Sequence, residues 1–292
     1  MSTVISVTGL KKSYGATQAV SGVDLQISQG EIFALLGPNG AGKTTTVEIL
    51  EGFRDRDSGE VKVLGFDPAT KGAAGQAWRD RIGIVLQSTE DTGDLTVYES
   101  VSHFAKYYKS PKDPREVIDL VGLSEKVDAL GRTLSGGQRR RLDVALGIIG
   151  SPELIFLDEP TTGFDPEARR AFWALIRNLR DEGATVLLTT HYLEEAEVLA
   201  DRVAVMDSGR VSQVGTPEDL YERPANRFVA GCVGRANWLA GIARAGGVEL
   251  AGTRVAAVHG EADGAAVELM LRPHRLRLRR AGGAGAEGEA SL

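Results

Sequence analysis

Short apolar runs recur along this 292-residue chain, each followed by a loop and a longer helical pattern. Five of them, Ile32 to Leu36, Ile82 to Leu86, Leu154 to Leu157, Thr185 to Thr189 and Val203 to Met206, predict strands. Strand and helix alternate, which predicts an α/β fold: a mostly parallel sheet covered by helices, with ligands at the carboxyl ends of the strands. The early apolar positions Val4, Ile5 and Val7, then Val20, Val23, Leu25 and Ile27, predict an antiparallel β subdomain beside it. From about Glu99 to Gly150 the strand signals fade. There Leu142, Ala145, Leu146 and Ile149 follow i, i+3, i+4, i+7 and predict a helix starting at the Gly136-Gly137 pair, part of a helical subdomain inserted at about residues 88–150. Asp165 and Pro166 form an N-cap and first-turn signal, Phe172, Leu175, Ile176 and Leu179 form a stripe, and Gly183 is placed to end that helix.

After about Ala225 the sequence turns Gly/Ala-rich, so a boundary is expected near Arg223-Pro224. That gives a main domain over 1–223, a small β-rich region over 224–280 and a disordered tail over 281–292. Leu271 to Arg280 alternates apolar and basic residues, which predicts a strand with one solvated face, a patch for phospholipid headgroups being the alternative.

Composition narrows the function classes. A formal net charge of -6 gives no electrostatic footprint for a polyanion, so no nucleic-acid partner is expected. Cys232 is the only cysteine, which excludes an internal disulfide and a thiolate metal cluster and leaves it as a small buried apolar residue. No apolar run approaches the roughly 18 residues needed to cross a bilayer, and the N-terminus has no signal-peptide pattern. Any membrane-spanning part of a transport machine is therefore expected on another polypeptide.

Gly37-Pro38-Asn39-Gly40-Ala41-Gly42-Lys43-Thr44-Thr45 fits a phosphate loop, and it follows a predicted strand and opens a predicted helix. Gly37, Gly40 and Gly42 let the backbone curl so that N–H groups face the phosphates. Lys43 should reach the β- and γ-phosphates, and the Thr44 hydroxyl is placed to bind Mg²⁺. In the run Leu154 to Glu159, acids at the mouth of a buried strand would be costly without a cation or water to use them. Asp158 is expected in the Mg²⁺ shell and Glu159 as general base toward the attacking water. His191 follows a predicted strand at the same edge and could hydrogen-bond the γ-phosphate and that water; its other reading is a helix-start or surface histidine. Gln87 ends the strand at Ile82 to Leu86, where its amide could sense Mg²⁺ or water, or it is an ordinary surface glutamine. Tyr14 could stack on adenine, though an upstream aromatic alone is a weak signal. Ser135, Gly136, Gly137 and Gln138 form a second amide-rich helix start. Two anion sites in one pocket would be redundant, whereas a second copy turned head to tail could use this one to close over the first copy's γ-phosphate.

Over about Val4 to Gly215 these residues resemble the nucleotide-binding subunits of ABC transporters. The resemblance matches Walker A to Gly37–Thr45, Walker B to Leu154–Asp158, the catalytic glutamate to Glu159, and the signature to Leu134–Gln138. It matches the Q-loop to Gln87, the H-loop to His191, the A-loop aromatic to Tyr14 and the D-loop aspartate to Asp165; Phe164 stands where that loop usually has leucine. It implies an ATPase of P-loop, ABC type using ATP and Mg²⁺, and a dimer holding two ATP molecules between Walker A of one subunit and the signature of the other. It also implies a separate transmembrane permease, with the chain on the cytoplasmic side of the cell membrane. The stretches Glu48–Pro68 and Thr190–Gly209 look like the drug and antibiotic exporter branch, whereas Gly215–Leu239 and Leu269–Leu278 look like importer ATPases with a C-terminal regulatory domain. Export is the expectation, import the nearest rival, and a non-transport ATPase acting on ribosomes or DNA the alternative from another class.

Overall fold

The computed structural model describes residues 2–85, 94–256 and 260–273. The chain divides into two compact units, Met1–Ala225 and Asn226–Leu292. The division falls two residues past the Arg223-Pro224 step.

The first unit runs β1 (Thr3–Tyr14), β2 (Thr17–Ser28), β3 (Ile32–Leu36), α1 (Lys43–Leu50), β4 (Ser58–Val63), α2 (Gly72–Arg79), β5 (Ile82–Val85), α3 (Val97–Ala105), α4 (Pro114–Leu120), α5 (Gly136–Ile148), β6 (Leu154–Asp158), α6 (Pro166–Asp181), β7 (Thr185–Thr190), α7 (Leu193–Leu199), β8 (Arg202–Asp207), β9 (Arg210–Gly215) and α8 (Pro217–Glu222). Six strands form one sheet in the order β5-β6-β7-β3-β8-β9. Every neighbouring pair is parallel except β8 with β9. Every residue of β3 and β7 is buried, as strands covered on both faces require. The antiparallel strand β9 was not foreseen. Its signal is the Ser208-Gly209 turn, where both φ angles are positive (48° and 77°), the backbone of a two-residue hairpin.

The early apolar positions do form an antiparallel sheet, of order β2-β1-β4. The helical stretch holds α3, α4 and α5. Helix α5 starts at Gly136 as its stripe predicts, and Ile149 becomes its C-cap. It lies hard against β5: a Cβ added at Gly83 would sit 2.3 Å from the Gly147 carbonyl oxygen. In α6, Asp165 is the N-cap, Pro166 opens the first turn and Gly183 (φ 101°) lies just past the end. Phe172, Leu175, Ile176 and Leu179 are all buried. The core of this unit joins both sheets through Ile5, Leu10, Phe33, Trp78 and Phe156. Burying each such side chain contributes about 1.5–3 kcal/mol.

The second unit holds α9 (Arg227–Cys232) and a four-stranded antiparallel sheet of β10 (Asn237–Arg244), β11 (Gly247–Leu250), β12 (Thr253–Ala256) and β13 (Ala266–Leu271), in the order β12-β11-β10-β13. Of the strand expected over Leu271 to Arg280, only residues 271–273 can be compared: β13 ends at Leu271, and the expected solvated face is corrected at Arg272, which is buried. Arg272 is 2% exposed and donates to the carbonyl oxygens of Ala230 (3.0 Å), in the last turn of α9, and of Arg235 (3.2 Å), just past it, satisfying buried carbonyls. Residues 274–280 and the tail at 281–292 lie outside the described residues. Cys232, expected to be buried, is only partly so.

Candidate functional site

The strand order sets the site. Strand β3 lies between β7 and β8, with β6 beside β7, so the loops after β3, β6, β7 and β8 open at one carboxyl edge. The loops after β3, β6 and β8 border a cleft of about 610 Å³ whose lining includes Tyr14, Lys43, Thr44, Thr45, Glu159 and Ser208.

The loop after β3 curls tightly. Gly42, the N-cap of α1, has φ 97°, and a Cβ there would lie 2.4 Å from the Ala19 carbonyl oxygen, so both conformation and space demand glycine. Lys43 follows, 4% exposed. Its Nζ donates to the carbonyl oxygens of Gly37 (2.8 Å) and Pro38 (3.2 Å) and lies 3.8 Å from Glu159 Oε1. Burial lowers its pKa, while the charges of Glu159 and Asp158 push it back up. A buried ammonium over curled backbone amides suits an anion carrying several negative charges.

At the end of β6 the two acids diverge. Thr44 Oγ1 donates to Asp158 Oδ2 at 3.5 Å, and Thr189 Oγ1 donates to Asp158 Oδ1. Two oxygen ligands this close fit Mg²⁺, which commonly takes one or two protein groups and completes its shell with phosphate and water. Among the described residues there is no cluster of three or more His, Cys, Asp or Glu side chains able to hold a metal by itself. Glu159 turns away from Asp158 with φ 43°, a left-handed backbone rare for a glutamate. Its N–H donates to Thr189 Oγ1 (3.0 Å), and its Oε2 lies 3.3 Å from His191 Nδ1. His191 stacks on Tyr192 with ring centroids 4.0 Å apart. Glu159, Lys43 and His191 thus meet within hydrogen-bond and ion-pair range, at a point that a water next to a phosphate could share.

The remaining candidates are dispersed. Tyr14 borders the cleft, 42% exposed, with the cations of Arg54 (5.2 Å) and Lys12 (5.7 Å) over its ring. Gln87 lies outside the described residues. Asp165 caps α6, its Oδ1 accepting from the N–H groups of Glu167 (2.9 Å) and Ala168 (2.8 Å). Phe164 packs edge-on against Phe172 at 5.7 Å. Ser135 caps α5 in a reciprocal box: its Oγ accepts from Gln138 N–H (3.3 Å) and Gln138 Oε1 accepts from Ser135 N–H (3.0 Å). Ser135 and Gly136 are exposed, and none of Ser135, Gly136, Gly137 and Gln138 is among the described residues that line the cleft.

Two contributors escaped sequence reasoning. Thr189 supports both acids of β6 from the next strand, and Arg140 reaches the same loop from α5. Thr189 carries the only available signal of the two, a hydroxyl near the end of an apolar strand just before His191.

A family model described as ABC transporter matches residues 20–162, and one described as an AAA domain, putative AbiEii toxin of a type IV TA system, matches residues 131–195. The chain is 42% identical to Nod factor export ATP-binding protein I of Ralstonia nicotianae, over 74% of this chain and 68% of that protein. It is 42% identical to the daunorubicin/doxorubicin resistance ATP-binding protein of Streptomyces peucetius, over 74% of this chain and 66% of that one. A sulfate/thiosulfate import ATP-binding protein of Chromobacterium violaceum is 36% identical over 96% of this chain and 80% of its own length. In fold, an ATP-binding cassette of an ABC transporter in its ADP conformation superposes with a TM-score of 0.69, at 23% identity, over 80% of this chain and 98% of that one. Among the described residues, no helix is long and apolar enough to cross a membrane. With this cleft, this fold and relatives of that identity, the chain belongs to the ABC transporter family, as an ATP-binding, ATP-hydrolysing subunit.

Proposed function

We propose that this subunit drives export through a separate permease from the cytoplasmic face of the membrane, and that two copies close head to tail over two ATP molecules. The observation that carries the reading is a division of labour. Lys43, Thr44 and Glu159 line one cleft, with Asp158 in contact with Thr44 and His191 in contact with Glu159, while the exposed Ser135-Gly136 turn is not part of that lining. A chain with half of a phosphate grip in each of two places completes both by pairing with a copy of itself.

In that scheme Lys43 exchanges its bonds to the Gly37 and Pro38 carbonyl oxygens for phosphate oxygens, which restores the charge balance that burial disturbs. Thr44 and Asp158, with Gln87, would hold Mg²⁺, which neutralises phosphate charge when bound. Glu159 accepts the proton of the attacking water as general base, and His191, 3.3 Å away, orients its carboxylate. Tyr14 offers a flat face to the adenine. Binding closes the pair and hydrolysis reopens it, which is the motion a permease could use.

Export is favoured because a relative named for Nod factor export and one named for daunorubicin/doxorubicin resistance are each 42% identical, against 36% for the import relative. The import reading draws on that relative's wider coverage, which extends across the C-terminal region. For the cargo, a drug, antibiotic or lipid-like compound, the support is the relative named for daunorubicin/doxorubicin resistance. ATPase assays on Glu159→Gln test the scheme: nucleotide binding should persist while turnover falls by at least about a hundredfold, as for loss of a general base. Ordinary turnover by that variant would remove Glu159 from the role. Copurification with a permease that takes its cargo from a binding protein, instead of an exporter-type permease, would overturn the direction.

A further inference from the structure

Arg140 lies in the second turn of α5, 6% exposed, an unusual place for a guanidinium. Its Nη2 donates to the Asp158 carbonyl oxygen at 3.0 Å and its Nε to the Pro160 carbonyl oxygen at 3.2 Å. Those carbonyls belong to the residues on either side of Glu159. Nη2 also reaches the Val85 carbonyl oxygen at 3.5 Å, at the last residue of β5 and two residues before Gln87. Asp143 offsets the buried charge, its Oδ2 4.0 Å from Nη1. Arginine stays protonated in such surroundings and presents a rigid planar fork, so one side chain can hold several carbonyls in a fixed relation.

The clamped residue is strained. Glu159 at φ 43° sits in a region that a residue with a Cβ seldom occupies, and such backbone persists only where its surroundings over-determine it. Here the surroundings are Arg140 on the carbonyls of residues 158 and 160 and Thr189 Oγ1 on the Glu159 N–H. Release of that clamp would let the peptide relax and swing the carboxylate away from His191 and Lys43.

We infer that Arg140 is a positioning residue for hydrolysis: its guanidinium holds the left-handed backbone at Glu159 in place and ties it to the helix that Ser135 caps. This rests on the reading of Glu159 as general base and deepens it. In a head-to-tail pair the Ser135 turn belongs to one nucleotide and Glu159 of the same chain to the other. Movement of the start of α5 is then felt at the backbone of the general base, and occupancy of one site is sensed at the second.

The test compares wild type, Arg140→Met, Arg140→Lys, Glu159→Gln and the double variant Arg140→Met/Glu159→Gln, each full length and checked for folding by circular dichroism. Arg140→Met should lower kcat by about tenfold or more while the Kd for a non-hydrolysable ATP analogue stays within about twofold. Arg140→Lys, which keeps the charge but cannot span the carbonyls as a fork, should fall between. In single-turnover assays with labelled ATP, adding Arg140→Met to Glu159→Gln should cost no more than about a further twofold, because groups that act as a unit are not additive. A folded Arg140→Met protein with wild-type kcat, or losses that multiply in the double variant while Glu159→Gln alone is inactive, would overturn the inference by itself. Ordinary turnover by Glu159→Gln would instead remove the reading beneath it and the inference with it. Should Arg140→Met not fold, the kcat and Kd of Arg140→Lys decide: both unchanged would overturn the inference.

Discussion

Lys43, Asp158, Glu159 and His191 each follow an apolar run, and the parallel sheet gathers such ends at one edge. Arg140 sits in a run of three arginines and falls outside the apolar stripe by which its helix was recognised. A second series, Val144, Gly147 and Ile148, is also buried, so α5 packs on two sides; only tertiary structure reveals that. Glu51 was likewise invisible. It closes α1, is 6% exposed, and its pKa is raised from 4.5 to about 8 by burial first, then by the charges of Asp158 and Glu48. The folded state therefore keeps this proton up to about pH 8, while the unfolded chain releases it near 4.5. Between those values unfolding releases a proton, so the group's stabilising contribution is complete below about pH 4.5 and is lost as pH rises toward 8. Glu51→Gln mimics the protonated acid. In urea unfolding of the nucleotide-free protein, it should gain on wild type between pH 5 and 8 by on the order of 3 kcal/mol. Parallel stability curves would contradict that.

Among the elements, several strands read from the sequence are buried along nearly their whole length: β3 and most of β6 are continuous apolar runs, and in β7 Val186, Leu187 and Leu188 are flanked by buried threonines. Strands β4 and β9 were missed because SGEVKV and RVSQVG, at sheet edges and partly exposed, lack the apolar density that marks β5 at another edge. Helix starts were clearer, since a cap is a local hydrogen bond that needs no tertiary partner. Asp165 illustrates this, and its cap separates two roles assigned to it. Asp165→Ala should destabilise α6 by about 1 kcal/mol, lowering the melting temperature by about 2–4 °C, while Asp165→Asn, which still accepts from the N–H groups of Glu167 and Ala168, should stay near wild type. Equal melting temperatures for all three proteins would show the cap to be energetically idle. A loss of ATP turnover in the asparagine variant at unchanged melting temperature would assign the lost charge to function instead of to the helix.

For the molecule as a whole, what matters is what one chain leaves incomplete. Its cleft is lined by the lysine-bearing loop, Thr44 and Glu159, with Asp158 against Thr44 and His191 against Glu159. The helix start at Ser135 and Gly136 is built with equal care, capped by Gln138 on both sides of its box, and left facing solvent. Both features were legible as motifs, and the redundancy of two anion sites in one pocket already argued for their separation; what the sequence could not supply is the course of α5, on which that separation depends. The separation gives the pairing proposal its physical content: in it, ATP would be the bond between two copies and hydrolysis would cut it. The most direct measurement is the mass of Glu159→Gln by light scattering after gel filtration, with and without Mg²⁺ and ATP. The account predicts a monomer of 31.1 kDa without nucleotide and twice that mass with ATP bound, reverting to monomer when Ser135 is replaced by a bulky residue. An ATP-loaded protein that stays at the monomer mass at every concentration tried would contradict it.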